Sequence, residues 1–205
     1  MSSEAVAVTT SEMGGGSPPV VRNRRQEETF RKVLAAGVEM LREKSYGDLT
    51  VRAVAARARV APATAYTYFS SKNHLIAEVY LDLVRQVPYF TDVNEPMPTR
   101  VNQALHHLAL VVADEPEVAA ACTTALLSGA GDPAVRIVRD RIGAEIHRRI
   151  SSAIGPGADP RTISTLEMTF FGALVNASSG AFTYHQITDR LAYAVGLILQ
   201  PGADR

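Results

Sequence analysis

Between residues 50 and 72 the chain sets out hydroxyls, cations and aromatic rings suited to meeting phosphates and base edges. They are Thr50, Arg52 and Arg59, then Pro62, Ala63, Thr64, Tyr66, Thr67, Tyr68 and Lys72. Hydroxyl, guanidinium and ammonium groups hydrogen-bond phosphate oxygens, which positions a protein on a duplex without reading its sequence. Pro62, Ala63, Thr64 and Thr67 are the candidate base readers, being small enough to approach base edges in a groove. Phosphate binding also needs positive charge, and the overall balance of 21 Lys+Arg against 21 Asp+Glu supplies none. The distribution does: residues 20–72 hold 11 basic and 5 acidic side chains, net +6, and the rest of the chain is net −6. A basic head on an acidic body engages nucleic acid through the head alone, with affinity that falls steeply as salt rises.

Two short helices around a tight turn are required to position these groups. Val51, Val54, Ala55 and Ala58 recur at helical spacing and give the first helix an apolar face, with Thr50 as its N-cap. Ala61-Pro62 opens the second, since proline is tolerated in a first turn whose N–H groups lack helical partners. Between them stands Ala58-Arg59, so Arg59 must adopt the turn conformation without glycine's freedom, and its side chain could reach a phosphate. A longer helix over residues 24–44 packs across the pair through Phe30, Val33, Leu34, Gly37, Val38 and Leu41, and Tyr46-Gly47-Asp48 ends it. Residues 71–87 are helical again, burying Leu75, Ile76, Val79, Leu83 and Val84, and Pro88 closes them.

Three motifs occur in order: Leu49-Thr50-Val51-Arg52-x-Val54-Ala55, Thr64-x-Tyr66-x-Tyr68-Phe69 and Ser71-Lys72-x-x-Leu75. Together they make residues 24–87 resemble the N-terminal domain of TetR-type transcriptional repressors. The turn departs from that pattern, because the family often has glycine where Ala58-Arg59 stands. The resemblance implies an all-α chain, with an N-terminal three-helix helix-turn-helix DNA-binding domain followed by a helical-bundle ligand-binding and dimerisation domain. It further implies a double-stranded DNA operator, with Thr64, Tyr66 and Tyr68 on phosphates or bases and Thr50 and Lys72 on the backbone.

Residues 1–21, with Gly14-Gly15-Gly16-Ser17 and Pro18-Pro19, offer little to bury and are expected to form a disordered leader. Arg22, Arg24 and Arg25 form a basic arm before the first helix. The head is assigned to residues 22–87 and the body to 88–205, the latter opening with an acidic, proline-rich loop at 90–98. Asp132-Pro133 and Asp159-Pro160 mark helix starts, Glu115-Pro116 is a weaker third signal, and Ser128-Gly129-Ala130-Gly131 and Gly155-Pro156-Gly157 mark breaks. The pattern predicts helices over 98–114, 116–128, 133–154, 160–180 and 187–199, and no strand.

In the helix predicted at 160–180, Ile163, Leu166, Phe170 and Leu174 form one apolar face and Met168, Phe171 and Val175 another. Two apolar faces need two partners. Leu191, Ala194, Val195 and Ile198, flanked by Leu197 and Leu199, repeat the pattern, and the small residues Gly172, Ala173, Ala177 and Gly180 allow close approach. One face therefore meets the body and the other a second copy, giving a homodimer through the last two helices matched to a palindromic site. The resemblance also implies an effector pocket. Its candidate walls are Leu105, Leu108, Val112, Cys122, Leu126, Phe170, Leu174 and Tyr184, with Asn176, His106 and His107 as nearby polar groups. Such a lining suits a hydrophobic or amphipathic small molecule.

Enzyme readings find no support in the residue pattern. The five histidines are scattered, His106 and His107 point to different sides of a helix, and no His-x-x-x-His or Cys-x-x-Cys spacing occurs. Cys122, the single cysteine, sits among small apolar neighbours and reads as a buried thiol. Glu145 and Glu167 are carboxylates that folding could bring together. The glycine run is followed by no Walker-type lysine, so no phosphate loop and no cofactor are expected. With no apolar run near the ~20 residues that span a bilayer and no signal-peptide pattern, the expectation is a cytoplasmic protein. Two rivals stand beside an effector-released repressor: a ligand-blind DNA binder, and a helical small-molecule-sequestering protein with a vestigial DNA-binding head.

Overall fold

A computed structural model describes residues 23–89, 94–129 and 131–200. The leader expected at 1–21, Arg22 of the basic arm, residues 90–93 of the acidic loop and Ala130 of the 128–131 break lie outside them. All regular structure among the described residues is α-helical: α1 Arg24–Glu43, α2 Val51–Arg57, α3 Pro62–Tyr68, α4 Lys72–Gln86, α5 Met97–Leu110, α6 Pro116–Ser128, α7 Pro133–Ile154, α8 Pro160–Ser178 and α9 Tyr184–Ile198.

Local chemistry sets most of these ends. Asn23 and Gln26 form a reciprocal capping box on α1, both bonds 2.9 Å. Thr50 accepts from the Ala53 N–H at 3.1 Å, and Ser71 accepts from the His74 N–H at 3.0 Å. Asp132 and Asp159 cap α7 and α8, each followed by a proline that opens the helix. α6 stops at Gly129, where a β-carbon would lie 2.7 Å from the Ala125 carbonyl oxygen and 2.8 Å from Val135, a fit that excludes any side chain. Two boundaries differ from the sequence pattern by three residues or more. α5 ends at Leu110, with turns over 111–114, and α9 begins at Tyr184, three residues early, because Thr183 and Gln186 form a second capping box.

One apolar core runs from head to body, and α4 is the element both share. It buries Leu75, Ile76, Ala77, Val79, Tyr80, Leu81 and Val84, contacting α1 on the head side and α6 and α7 on the body side. Around it, α5 meets α7 and α9, and α8 meets α9, α7 and α6. Truncating a fully buried leucine such as Leu81 is expected to cost roughly 2–5 kcal/mol, because the cavity left behind cannot fully collapse.

Polar clamps fix α4 to α7 at both ends. At its start, the Ser71 hydroxyl donates to the Asp132 carboxylate at 2.8 Å. At its end, the buried Arg149 guanidinium donates to the Val87 carbonyl from Nε at 3.1 Å and Nη2 at 2.9 Å, and to the Arg85 carbonyl at 3.3 Å. Carbonyls in the last turn lack helical partners, so this guanidinium serves as their cap. Glu145 neutralises it at 2.8 Å and also pairs with Arg85 at 3.1 Å and Arg148 at 2.7 Å. Burial pushes the Glu145 carboxyl upward, but hydrogen bonds from Arg149, Arg148 and Arg85 outweigh it and bring the pKa to about 2. Midway along α4, buried Glu78 pairs with Arg141 at 2.6 Å. Glu145 and Glu167 take different partners, Glu167 pairing with His147 at 2.8 Å.

Candidate nucleic-acid interface and effector cavity

α3 is held to the head by one buried residue, Ala65, and turns the rest of its surface outward. Pro62, Ala63, Thr64, Tyr66 and Thr67 are exposed and Tyr68 is half-buried. Tyr66 is 52% exposed, an aromatic ring left in water on a seven-residue helix. Tyr68 is different: its ring lies edge-on to Phe30 at 6.1 Å, beside the Phe30–Phe69 stack at 5.1 Å. Thr67 donates to the Thr64 carbonyl at 2.6 Å. Thr50 uses one lone pair on the Ala53 N–H and keeps its O–H as a donor.

The turn adopts the conformation that its missing glycine makes costly. Arg59 has φ 55°, the one positive value at a non-glycine residue among the described residues, and the turn closes through Val60 N–H to the Ala55 carbonyl at 2.9 Å. A left-handed conformation costs an L-residue about 1–2 kcal/mol.

The head's positive charge is unequally available. Arg31, Lys32 and Arg42 pair with Glu27 at 2.9 Å, Glu28 at 2.8 Å and Glu115 at 2.5 Å, and Arg57 pairs with Glu43. The Arg42 hydrogen bonds hold the Glu115 carboxyl below its usual range. Arg52 and Arg59 are exposed and form no ion pair among the described residues. Lys72 has a structural partner that the sequence did not suggest: its ammonium donates to the Tyr46 carbonyl at 2.9 Å and lies 4.2 Å from the centre of the Tyr46 ring. It thereby ties α4 to the connection between α1 and α2.

The body holds an apolar cavity of about 240 Å³ walled by side chains from α4, α6, α7, α8 and α9 and by Val112. Of the expected wall residues, Val112, Cys122, Leu126, Leu174 and Tyr184 line it. The others stand elsewhere. Leu105, Leu108 and Phe170 are fully buried core, because the faces that carry them pack directly against neighbouring helices. Asn176 is exposed and donates to the Gly172 carbonyl at 2.8 Å, and His106 and His107 lie on the exposed side of α5. Sequence reasoning missed Tyr80, Thr123, Arg139, Ile142, Phe171 and Val175, which complete much of the wall. Periodicity had marked Phe171 and Val175 as a second apolar face, but nothing local placed Tyr80 of the linking helix in the body's interior.

Tyr80 and Tyr184 are 3% and 6% exposed; the Tyr80 hydroxyl has no hydrogen-bond partner among the described residues, and the Tyr184 hydroxyl makes none of normal geometry, with the Thr123 hydroxyl as its neighbour. Burial raises both phenol pKa values, and it pushes the Cys122 thiol between them in sequence up to about 12. This interior disfavours negative charge.

The two faces of α8 separate as their spacing predicts. Ile163, Leu166, Phe170 and Leu174 are buried, whereas Met168, Phe171 and Val175 are exposed at 66%, 37% and 41%. On α9, Tyr193 and Leu197 are exposed as well. Among the described residues no helix is long and apolar enough to cross a membrane, and no group of His, Cys, Asp and Glu could hold a metal ion.

Comparison with known proteins places this geometry. Residues 33–79 match the model for bacterial regulatory proteins of the tetR family. Uncharacterized HTH-type transcriptional regulators of Mycobacterium tuberculosis and Mycobacterium bovis are each 79% identical over 178 residues, covering 87% of this chain and 84% of theirs. A TetR transcriptional regulator from Rhodococcus sp. RHA1 shares the fold with a TM-score of 0.73 at 21% identity, over 86% of this chain and 98% of its own. FadR of Bacillus subtilis, crystallised with stearoyl-CoA, does so with a TM-score of 0.59 at 15% identity, over 81% and 97%. With the exposed helix-turn-helix and close relatives along most of its length, the chain belongs to the tetR family of DNA-binding transcriptional regulators.

Proposed function

We propose that the protein is a cytoplasmic homodimeric repressor, bound to a palindromic operator through two heads and released when a compact apolar effector enters the body. One observation carries the reading: Tyr80 lines the cavity from α4, the helix whose first turn adjoins the exposed α3. A ligand that alters the packing of Tyr80 therefore acts on the element that aims the head.

In this proposal residues 22–87 form the DNA-binding head and 88–205 the effector and dimer body, with α4 shared. α3 enters a major groove, where Pro62, Ala63, Thr64 and Thr67 read bases and Tyr66 and Tyr68 contact phosphates or bases. Thr50, Arg52, Arg59 and Lys72 hold the backbone. The exposed faces of α8 and α9, with Met168, Phe171, Val175, Tyr193 and Leu197, meet their copies across a two-fold axis. Stearoyl-CoA in the Bacillus subtilis protein supports an apolar effector, although about 240 Å³ is far too little for an acyl-CoA and sets a smaller ligand here. Release requires that the effector bind the DNA-free form more tightly, since equal affinity shifts nothing.

Selection of bound duplexes from a random library, followed by a titration from about 50 to 200 mM salt, tests the DNA half. A palindrome with half-sites about 34 Å or a close multiple apart, and a loss of roughly a thousandfold across that range, are expected. Recovery of no enriched sequence would overturn the reading.

A further inference from the structure

The cavity is larger than the about 150 Å³ that accommodates benzene and smaller than the about 300–1,000 Å³ of drug-sized sites, so its occupant is compact. Its wall is apolar apart from the Tyr80 and Tyr184 hydroxyls, Thr123, the Cys122 thiol and half-buried Arg139. Thr123 already donates to the Ala119 carbonyl at 3.1 Å. That leaves two buried phenol donors, one on the helix that reaches the head and one on the last helix, neither in a hydrogen bond of normal geometry, the Tyr184 hydroxyl having only the Thr123 hydroxyl beside it. Buried polar groups are almost always paired, and two phenol hydroxyls without a well-formed partner on the wall of one cavity call for an acceptor there.

We propose that this cavity binds a compact uncharged molecule, apolar over most of its surface and bearing one hydrogen-bond-accepting oxygen, which takes both the Tyr80 and Tyr184 hydroxyl protons. A carbonyl oxygen has two lone pairs and suits two donors. A cationic head group is opposed by Arg139 and finds no carboxylate in the wall. A carboxylate has one cation in that wall, half-buried Arg139 on α7, so the naphthoate arm below decides between an anion held at Arg139 and an uncharged oxygen held at the tyrosines. Bound this way, one oxygen links α4 to α9, which is how occupancy becomes a constraint on the head. The inference deepens the effector reading above and rests on it.

Three probes of one size separate the ligand classes: acetonaphthone, ethylnaphthalene and naphthoate, titrated calorimetrically into the full chain. The ketone is expected to bind at least about tenfold more tightly than the hydrocarbon, with naphthoate weakest, as two unmade hydrogen bonds imply. Tyr80→Phe and Tyr184→Phe each weaken the ketone roughly two- to tenfold and leave the hydrocarbon unchanged. Both variants keep the ring and shed a buried hydroxyl without a well-formed partner, so each melts at or above the parent temperature without ligand. A lower melting temperature for either variant, equal binding of ketone and hydrocarbon, tighter binding of naphthoate, or no binding of any probe overturns the proposal. A parallel operator-binding assay keeps the two readings apart. Ketone binding that leaves operator affinity unchanged defeats the switch and upholds the ligand class, whereas an operator-bound chain released by another molecule but indifferent to the ketone defeats the ligand class alone.

Discussion

Ser71 and Asp132 are helix caps that cap each other. The Ser71 oxygen accepts from the His74 N–H at 3.0 Å while its proton goes to Asp132 at 2.8 Å, and the other Asp132 oxygen accepts from the Ala134 N–H at 2.9 Å. The starts of α4 and α7 are thus fastened through one hydrogen bond between side chains 61 positions apart. That bond is the first cause of the lowered Asp132 pKa.

Ser71→Ala and Asp132→Ala should each destabilise the protein by about 0.5–2 kcal/mol through loss of a cap. A double-mutant cycle read by denaturant unfolding is expected to show coupling of about 0.5–1.5 kcal/mol. Strict additivity would mean that the contact contributes nothing.

Arg149 and Glu145 form a pair in which each needs the other. Glu145→Ala leaves a buried guanidinium uncompensated, and a loss of roughly 3–5 kcal/mol is expected. The pair also sets an acid response. Because the folded pKa of Glu145 lies near 2, below the ordinary value of 4.5, its contribution is complete above about pH 4.5 and lost as pH falls toward 2. Urea midpoints measured across that window should decline for the parent, and less steeply for Glu145→Gln.

Arg59 offers a separation of stability from binding. Arg59→Gly removes the left-handed penalty at φ 55° and is expected to stabilise the fold by roughly 0.5–1 kcal/mol. If the side chain holds a phosphate, the same change lowers the salt slope of operator binding by about one unit. An unchanged slope would place Arg59 off the DNA.

Tyr66 is expected to matter to DNA and not to folding. Being half in water, it should tolerate Tyr66→Ala with a stability change within about 0.5 kcal/mol. Operator affinity measured by fluorescence anisotropy should fall at least several-fold. Retained affinity would revive the vestigial-head reading.

The exposed faces of α8 and α9 supply the dimer test. Met168→Glu and Leu197→Glu, at positions 66% and 55% exposed in the single chain, should leave helicity intact and convert a dimer to monomer in sedimentation equilibrium. Operator affinity should collapse with it. A variant that remains dimeric would assign the interface elsewhere.

The head was legible because its signals are local. A hydroxyl at position 50, proline at 62 and serine at 71 each fix a helix start within a few residues, and α2 and α3 lie where they were expected. The two faces of α8 were legible for the same reason, since period alone sorts Phe170 from Phe171. The cavity was not, because a wall is a property of five helices at once and one of them, α4, had been assigned to the head. The ion clusters escaped as well. Nothing near Arg149 in sequence shows that it will cap a helix ending 62 positions earlier at Val87.

The three polar fastenings of α4 to α7 are of unequal strength, and a rod held most firmly at one end tilts about that end when its weaker contacts, Ser71–Asp132 and Glu78–Arg141, give. The Arg149 end, with its buried guanidinium and three-armed carboxylate, is the fulcrum, and the single Ser71 contact is the free end's latch. At about 1.5 Å per residue, α4 is a lever about 22 Å long, and a tilt of about 5° swings its tip by about 2 Å. Tyr80 sits nearer the fulcrum than the tip, so a displacement there arrives at Lys72 roughly doubled.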